Sequence, residues 1–213
     1  MITFSGFKHV KRVLCLGAHS DDIEIGAAAT VLRAVRENPD VEVTWCVLSG
    51  NEVRQDEARH GAEHLLGPRV ARSVILKDFT DSYFPEQRQK IKQFFEQSLK
   101  SVDPELILTH ARTDAHQDHR MVNELTWNTF RAHQIWEYEI PKWDGDLMQP
   151  NLYVPVDPED VAKKITVLRD VFASQRSKHW FDEETFRGLM RIRGLESNTR
   201  YAEAFTARKF VVA

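Results

Sequence analysis

The stretch Arg12-Val-Leu-Cys-Leu-Gly-Ala-His-Ser-Asp-Asp-Ile-Glu-Ile-Gly26 decides how the chain is read. It begins with a short apolar run, Arg12 to Gly17, of the kind found in strands buried on both faces. Directly after that run come an imidazole (His19), two adjacent carboxylates (Asp21, Asp22) and a third (Glu24). Gly26 to Arg36 (GAAATVLRAVR) then reads as an Ala-rich helix whose small residues let it lie close to a sheet. Paired acids at the junction suit neither a core nor a simple turn, so the junction is read as chemistry.

The pattern repeats outward from there. Strands are expected over Val41–Leu48, Ser73–Leu76, Glu105–Thr109 and Ile135–Ile140, with helices over about Glu52–Leu66, Pro85–Val102 and Arg120–Arg131. The helix after Pro85 is strongly patterned, with Ile91, Phe94, Phe95 and Leu99 on one face. Beyond Pro141 the expected elements are a strand over Asn151–Val156, helices over Glu159–Gln175 and Glu183–Arg193, and a last strand over Lys209–Val212. Alternating strands and helices predict an α/β fold: a doubly wound, mostly parallel Rossmann-like sheet with a C-terminal α/β extension. No linker or repeat divides residues 1–213, so one domain is expected.

Composition narrows the function. A formal net charge of −3 gives no basic footprint, so nucleic acid is not an expected partner. No apolar run reaches the length of a membrane span, and the N-terminus has no signal-peptide core, so a cytoplasmic protein with no membrane partner is expected. Cys15 and Cys46 lie inside apolar runs and read as buried thiols of a reducing compartment.

A second polar cluster, His116-Gln-Asp118-His119, follows the fourth strand. Ligands of doubly wound sheets bind beyond the carboxyl ends of the strands, where the strand order reverses. In the order 3-2-1-4-5 strands one and four flank that point, so the two clusters are expected to meet. His19, Asp22 and one imidazole of the second cluster form a two-His, one-carboxylate set, which suits zinc with a position left open for water, or ferrous iron. His119 is the better third ligand, because a nearby helix N-terminus favours the neutral imidazole that a metal requires. Asp21 is then free to take a proton from the attacking water. His116 is placed to donate to the leaving amine or to an oxyanion if it is charged. Asp118 is the nearby carboxylate able to keep it so, provided that the segment is a loop.

These two clusters resemble the LmbE-like, or PIG-L, metal-dependent deacetylases, which remove acetyl groups from N-acetylglucosamine-type sugars. The family usually has Pro where Ser20 stands. The resemblance implies metal for His19, Asp22 and His119, a base for Asp21, and an acid or oxyanion partner for His116. Arg54-Gln-Asp-Glu57 resembles the family's Arg-x-x-Glu element and implies a substrate contact for Arg54. Tyr201-Ala-Glu-Ala-Phe205 also resembles a family element and implies Tyr201 as a donor to the carbonyl oxygen. The expected partners are a small amino-sugar substrate and further copies of the chain, since members of the family often assemble.

Plainer readings stand beside these. Asp114 suits either a sugar hydroxyl or an ordinary turn. Glu24 is either a helper of the metal ligands or a favourable charge at a helix start. His110 is either a partner of the site or a satisfied strand-end histidine. His60 and His64 have ligand spacing but no third partner, and read as a solvated face. Trp127, Trp136, Trp143 and Trp180 read as packing. Three other functions compete with this one. A dinuclear metallohydrolase needs a His where Asp114 stands. A metal-binding or nucleotide-binding α/β module without hydrolase activity lacks the glycine fingerprint and would set two acids against phosphate. A family member that has lost activity fits poorly with the presence of Asp21 and His116.

Overall fold

The computed structural model describes residues 6–67 and 73–211. Seven strands form one sheet in the order β3-β2-β1-β4-β5-β7-β6. They are β1 (Arg12–Gly17), β2 (Glu42–Ser49), β3 (Val74–Phe79), β4 (Leu106–His110), β5 (Gln134–Tyr138), β6 (Leu152–Pro155) and β7 (Ala202–Ala207). The first five are parallel in the expected 3-2-1-4-5 order, and β7 and β6 extend the same sheet antiparallel. The C-terminal extension thus continues the sheet.

β1 is buried on both faces, which explains its unbroken apolar run. Val13 and Cys15 point into one core layer, Leu14 and Leu16 into the other. The first layer is completed by α1 (Asp22–Glu37), α2 (Glu52–Leu66), α5 (Pro158–Val171) and α6 (Glu183–Glu196), the second by α3 (Arg88–Gln97) and α4 (Gln117–Thr129). Gly26 explains how close α1 comes to the sheet, because a Cβ there would overlap the ring of fully buried Tyr138. The Tyr138 hydroxyl in turn donates to the Leu16 carbonyl at 2.6 Å. Midway along α1 a buried ion pair ties in the C-terminal third. Lys164 donates to Glu203 at 2.7 Å, and Glu203 accepts the N–H groups of Ala29 (3.1 Å) and Thr30 (2.7 Å).

Several boundaries differ from expectation. α1 starts at Asp22, not Gly26, because acids are stabilised in a first helical turn. α4 starts at Gln117, which makes His116 its N-cap. The helix expected over Pro85–Val102 is interrupted at Ser98, with short 3-10 turns on either side of α3. The expected strand at Lys209–Val212 is absent over 209–211, and residue 212 lies outside the described residues; the strand is β7 instead.

Candidate metal centre and active site

β1 and β4 are neighbours, and both polar clusters stand at their carboxyl ends. His19, Asp21, Asp22, Arg54, His116 and His119 line one open cavity of about 750 Å³. His19 Nδ1 and His119 Nε2 are 3.1 Å apart, Asp22 Oδ2 is 3.4 Å from His19 Nδ1, and Asp22 Oδ1 is 3.5 Å from His119 Nε2. A tetrahedral ion bound at about 2.0–2.1 Å separates its ligand atoms by roughly 3.3 Å, and these separations, which involve both Asp22 oxygens, are close to that spacing.

The outer partners agree with that geometry. His119 Nδ1 faces Asp114 Oδ2 at 2.9 Å, and His19 Nε2 faces Asp118 Oδ2 at 3.3 Å and Asp81 Oδ1 at 3.1 Å. Each carboxylate holds the proton on the ring nitrogen nearest it, which turns the lone pair of the other nitrogen toward the cluster. The two facing nitrogens, 3.1 Å apart, either share a proton or hold a cation between them. Burial works against charge on both rings. Even so, Asp22, with Asp118 and Asp81, raises the His19 pKa well above its ordinary value, and Asp22 with Asp114 raises that of His119. Burial also opposes ionisation of Asp22, but His119, His110 and His19 hold its carboxyl well below the usual range.

His116 stands beside His19 and His119, with a ring nitrogen from each of the three within 4.8 Å of the others. Its Nδ1 accepts the Asp118 N–H at 3.2 Å as the cap of α4, which leaves the proton on Nε2. Burial, together with His119 and His19, lowers its pKa, so His116 is a neutral N–H donor. The expected pairing with the Asp118 carboxylate does not form. That carboxylate is fully buried and accepts the N–H groups of Ser82 (2.6 Å) and Phe84 (3.1 Å) as well as His19. Adjacent to the cap, its side chain points back under the cluster, in line with the helical spacing.

Asp114 lies behind the cavity. One oxygen holds His119, and the other accepts the His116 N–H at 2.8 Å and the Lys142 ammonium at 3.1 Å. Tyr201 is not among the residues lining the cavity. Its ring lies 5.4 Å from the Arg200 guanidinium and its hydroxyl pairs with Arg187. His110, at the end of β4, stacks on His119 with centroids 3.9 Å apart, and burial lowers its pKa to about 4. Glu24 is fully buried with neither carboxylate oxygen hydrogen-bonded, and burial, with Asp21 and Asp22, raises its pKa well above the ordinary value. His60 and His64 are both exposed on α2.

Several lining residues were not singled out from sequence. Asp81 and Ser82 come from the loop after β3, and the rule that nominates carboxyl ends of strands applies to that loop too. Trp143 and Trp180 stand at the cavity wall, Trp143 stacked on His179 with centroids 5.3 Å apart. Nothing in their local sequence separates them from packing tryptophans.

A doubly wound sheet with converging imidazoles and carboxylates at its switch point defines a candidate metallohydrolase. Comparison with known proteins makes this specific. The family model described as PIG-L, GlcNAc-PI de-N-acetylase, matches residues 14–130, and the chain belongs to this family. Membership makes it an N-deacetylase, an amide hydrolase of the amino-sugar type. The fold is shared with N,N'-diacetylchitobiose deacetylase from Pyrococcus horikoshii, at a TM-score of 0.70 and 21% identity over 94% of this chain and 85% of that one. A zinc-inhibited form of the teicoplanin deacetylase Orf2 matches with a TM-score of 0.68 and 16% identity over 92% of this chain and 97% of that one. GalB, the 4-carboxy-2-hydroxymuconate hydratase from Pseudomonas putida KT2440, gives 0.74 and 17% identity over 95% and 98%. Among the described residues no helix is long and apolar enough to cross a membrane.

Proposed function

We propose that this protein is a zinc-dependent hydrolase that removes the N-acetyl group from an N-acetylglucosamine-type sugar or glycoconjugate, with ferrous iron as the alternative metal. The observation that carries this reading is the convergence of His19 Nδ1, His119 Nε2 and the two Asp22 oxygens, at 3.1 to 3.5 Å. A divalent ion held there supplies Lewis acidity, polarising the acetyl carbonyl and making a water acidic enough to react near neutral pH. The family model and two of the structural neighbours are described as acting on acetylated sugars or their conjugates, which supports the substrate class.

The roles of the chain's own groups follow from their surroundings. Asp21 Oδ1 accepts from Arg54 at 2.8 Å, while Oδ2 makes no hydrogen bond among the described residues and is free to accept a proton from the attacking water. His116 presents Nε2–H to the cavity, suited to hydrogen-bonding the carbonyl oxygen as it gains charge, and the proton that Asp21 takes from water is the one returned to the departing amine. Asp114 and Asp118 act behind the ligands by fixing their tautomers.

The test is a deacetylation screen over N-acetylated amino sugars with metal content measured on the same sample. Asp21→Asn should keep its metal and lose about 10²–10⁴-fold in rate, the range of a general base. Full activity of that variant, or unchanged metal content in His119→Ala, overturns the assignment.

A further inference from the structure

Arg54 stands where the family resemblance implies a substrate contact, yet its guanidinium is already engaged by protein. One nitrogen donates to Asp21 Oδ1 at 2.8 Å, and another to Glu57 Oε2 at 2.9 Å and to Ser174 Oγ at 3.1 Å. Only 16% of its side chain is exposed.

Each partner is held in turn. Glu57 is buried, and its carboxylate accepts the Ser174 N–H at 2.8 Å and the Ser174 hydroxyl at 2.6 Å. Gln175 Nε2 donates to the same hydroxyl at 2.9 Å. At its base Arg54 belongs to the first turn of α2, where Asn51 caps the helix by accepting the Arg54 N–H at 3.0 Å. Gly50, at φ +151°, lets this turn approach the β1–α1 loop, because a Cβ there would meet Arg54 Cβ and Ser20 Oγ at 3.1 Å each. The arrangement therefore spans three separate parts of the chain, and it ends on one oxygen of Asp21.

We infer that Arg54 is a positioning residue: braced by Glu57 and Ser174, it fixes Asp21 Oδ1 so that Oδ2 stays free in the cavity and the carboxylate does not turn onto the metal. This rests on the reading of Asp21 as the base. The neighbouring Asp22 has a different anchor: its Oδ2 accepts the His19 N–H at 2.6 Å and faces His110 Nε2 at 3.1 Å, which turns its carboxylate toward His19 and His119. Misplacing a catalytic group by about 1 Å costs on the order of 10²-fold, so a tether of this kind acts on turnover and not on substrate affinity.

The experiment compares Arg54→Met, Arg54→Lys, Glu57→Gln and Ser174→Ala with the unchanged protein. For Arg54→Met the expected result is a loss in kcat of about tenfold or more with KM changed less than about twofold, and partial rescue of kcat by added guanidinium. Arg54→Lys, which keeps the charge but not the fork, falls between; it also serves if Arg54→Met fails to fold. Ser174→Ala and Glu57→Gln give smaller losses of the same kind. A second readout needs no turnover: in cobalt(II)-loaded protein, Arg54→Met changes the absorption spectrum as Asp21 joins the ion. A rise in KM at constant kcat, with an unchanged cobalt spectrum, makes Arg54 a substrate contact and overturns the inference. If the unchanged protein cleaves no N-acetyl sugar, the deacetylase reading falls and the cobalt spectra alone decide the tether.

Discussion

Replacing Asp114 by Asn tests whether the metal site depends on the carboxylate behind it. The Asp114 side chain is 3% exposed, and every neighbour it has is a donor: His119 Nδ1 at 2.9 Å on one oxygen, the His116 N–H at 2.8 Å and Lys142 Nζ at 3.1 Å on the other. An amide placed there must point its NH2 at a donor in either orientation. Facing His119, it forces the proton onto Nε2 and removes the lone pair that a metal needs. Facing His116 and Lys142, it leaves a buried N–H without an acceptor. Changes of this kind behind a ligand cost about 10–100-fold in metal affinity, which corresponds to about 1.4–2.7 kcal/mol. Competition against a chromophoric chelator measures the affinity, and a denaturant melt of the metal-free variant shows that it is folded. An Asp114→Asn variant that binds zinc within about twofold of the unchanged protein would falsify the idea that Asp114 sets the His119 tautomer.

Three further outcomes follow. His19 and His119 have pKa values raised above ordinary histidine, and a metal requires both rings neutral on the facing nitrogens. Protons therefore compete with the ion, and zinc affinity should rise as pH increases above the ordinary histidine value of about 6.5, with net proton release, measured by calorimetry in buffers of different ionisation enthalpy; pH-independent affinity contradicts the assignment. Tyr201→Phe should leave kcat and KM nearly unchanged, since Tyr201 does not line the cavity, and a tenfold or greater loss (about 1.4 kcal/mol) would restore the role implied by resemblance. Gly26→Ala should destabilise the protein by about 1–3 kcal/mol in a urea melt, because its Cβ collides with the buried Tyr138 ring.

What was legible in the sequence was what periodicity and topology control. β1 to β5 and their order follow from alternating apolar runs and helical faces, and that order alone brings His19 beside His119. The strand β7 was missed because Ala202-Glu-Ala-Phe-Thr-Ala207 is poor in branched residues and carries an acid, whereas Phe210-Val-Val looks more strand-like. The acid is Glu203, acceptable inside the sheet only because Lys164, 39 residues earlier, and the N–H groups of α1 neutralise it. The tautomer-setting partners were hidden for a similar reason. Asp118 was expected to serve its neighbour His116, but a residue in a first helical turn cannot turn back onto its cap, and it serves His19 across the sheet instead. Such pairings are made by the loops after β3 and β4, whose paths leave no period in the sequence.

The shared fold also limits what the sheet itself can decide. A hydratase and two deacetylases share this fold at TM-scores of 0.74, 0.70 and 0.68, so the fold by itself does not choose the bond attacked. The choice must lie in the groups facing the substrate. In amide cleavage negative charge develops on the carbonyl oxygen and then a proton is needed on nitrogen; a neutral imidazole N–H can meet the first demand, and the proton taken up by the base the second. His116 has the form that the first demand needs. Its cap on the Asp118 N–H commits Nδ1 and leaves Nε2–H available, and its neutrality spares it the repulsion that a second cation beside the metal would bring. The α4 cap therefore links local folding to chemistry: the bond that starts the helix also fixes the tautomer that leaves an N–H free.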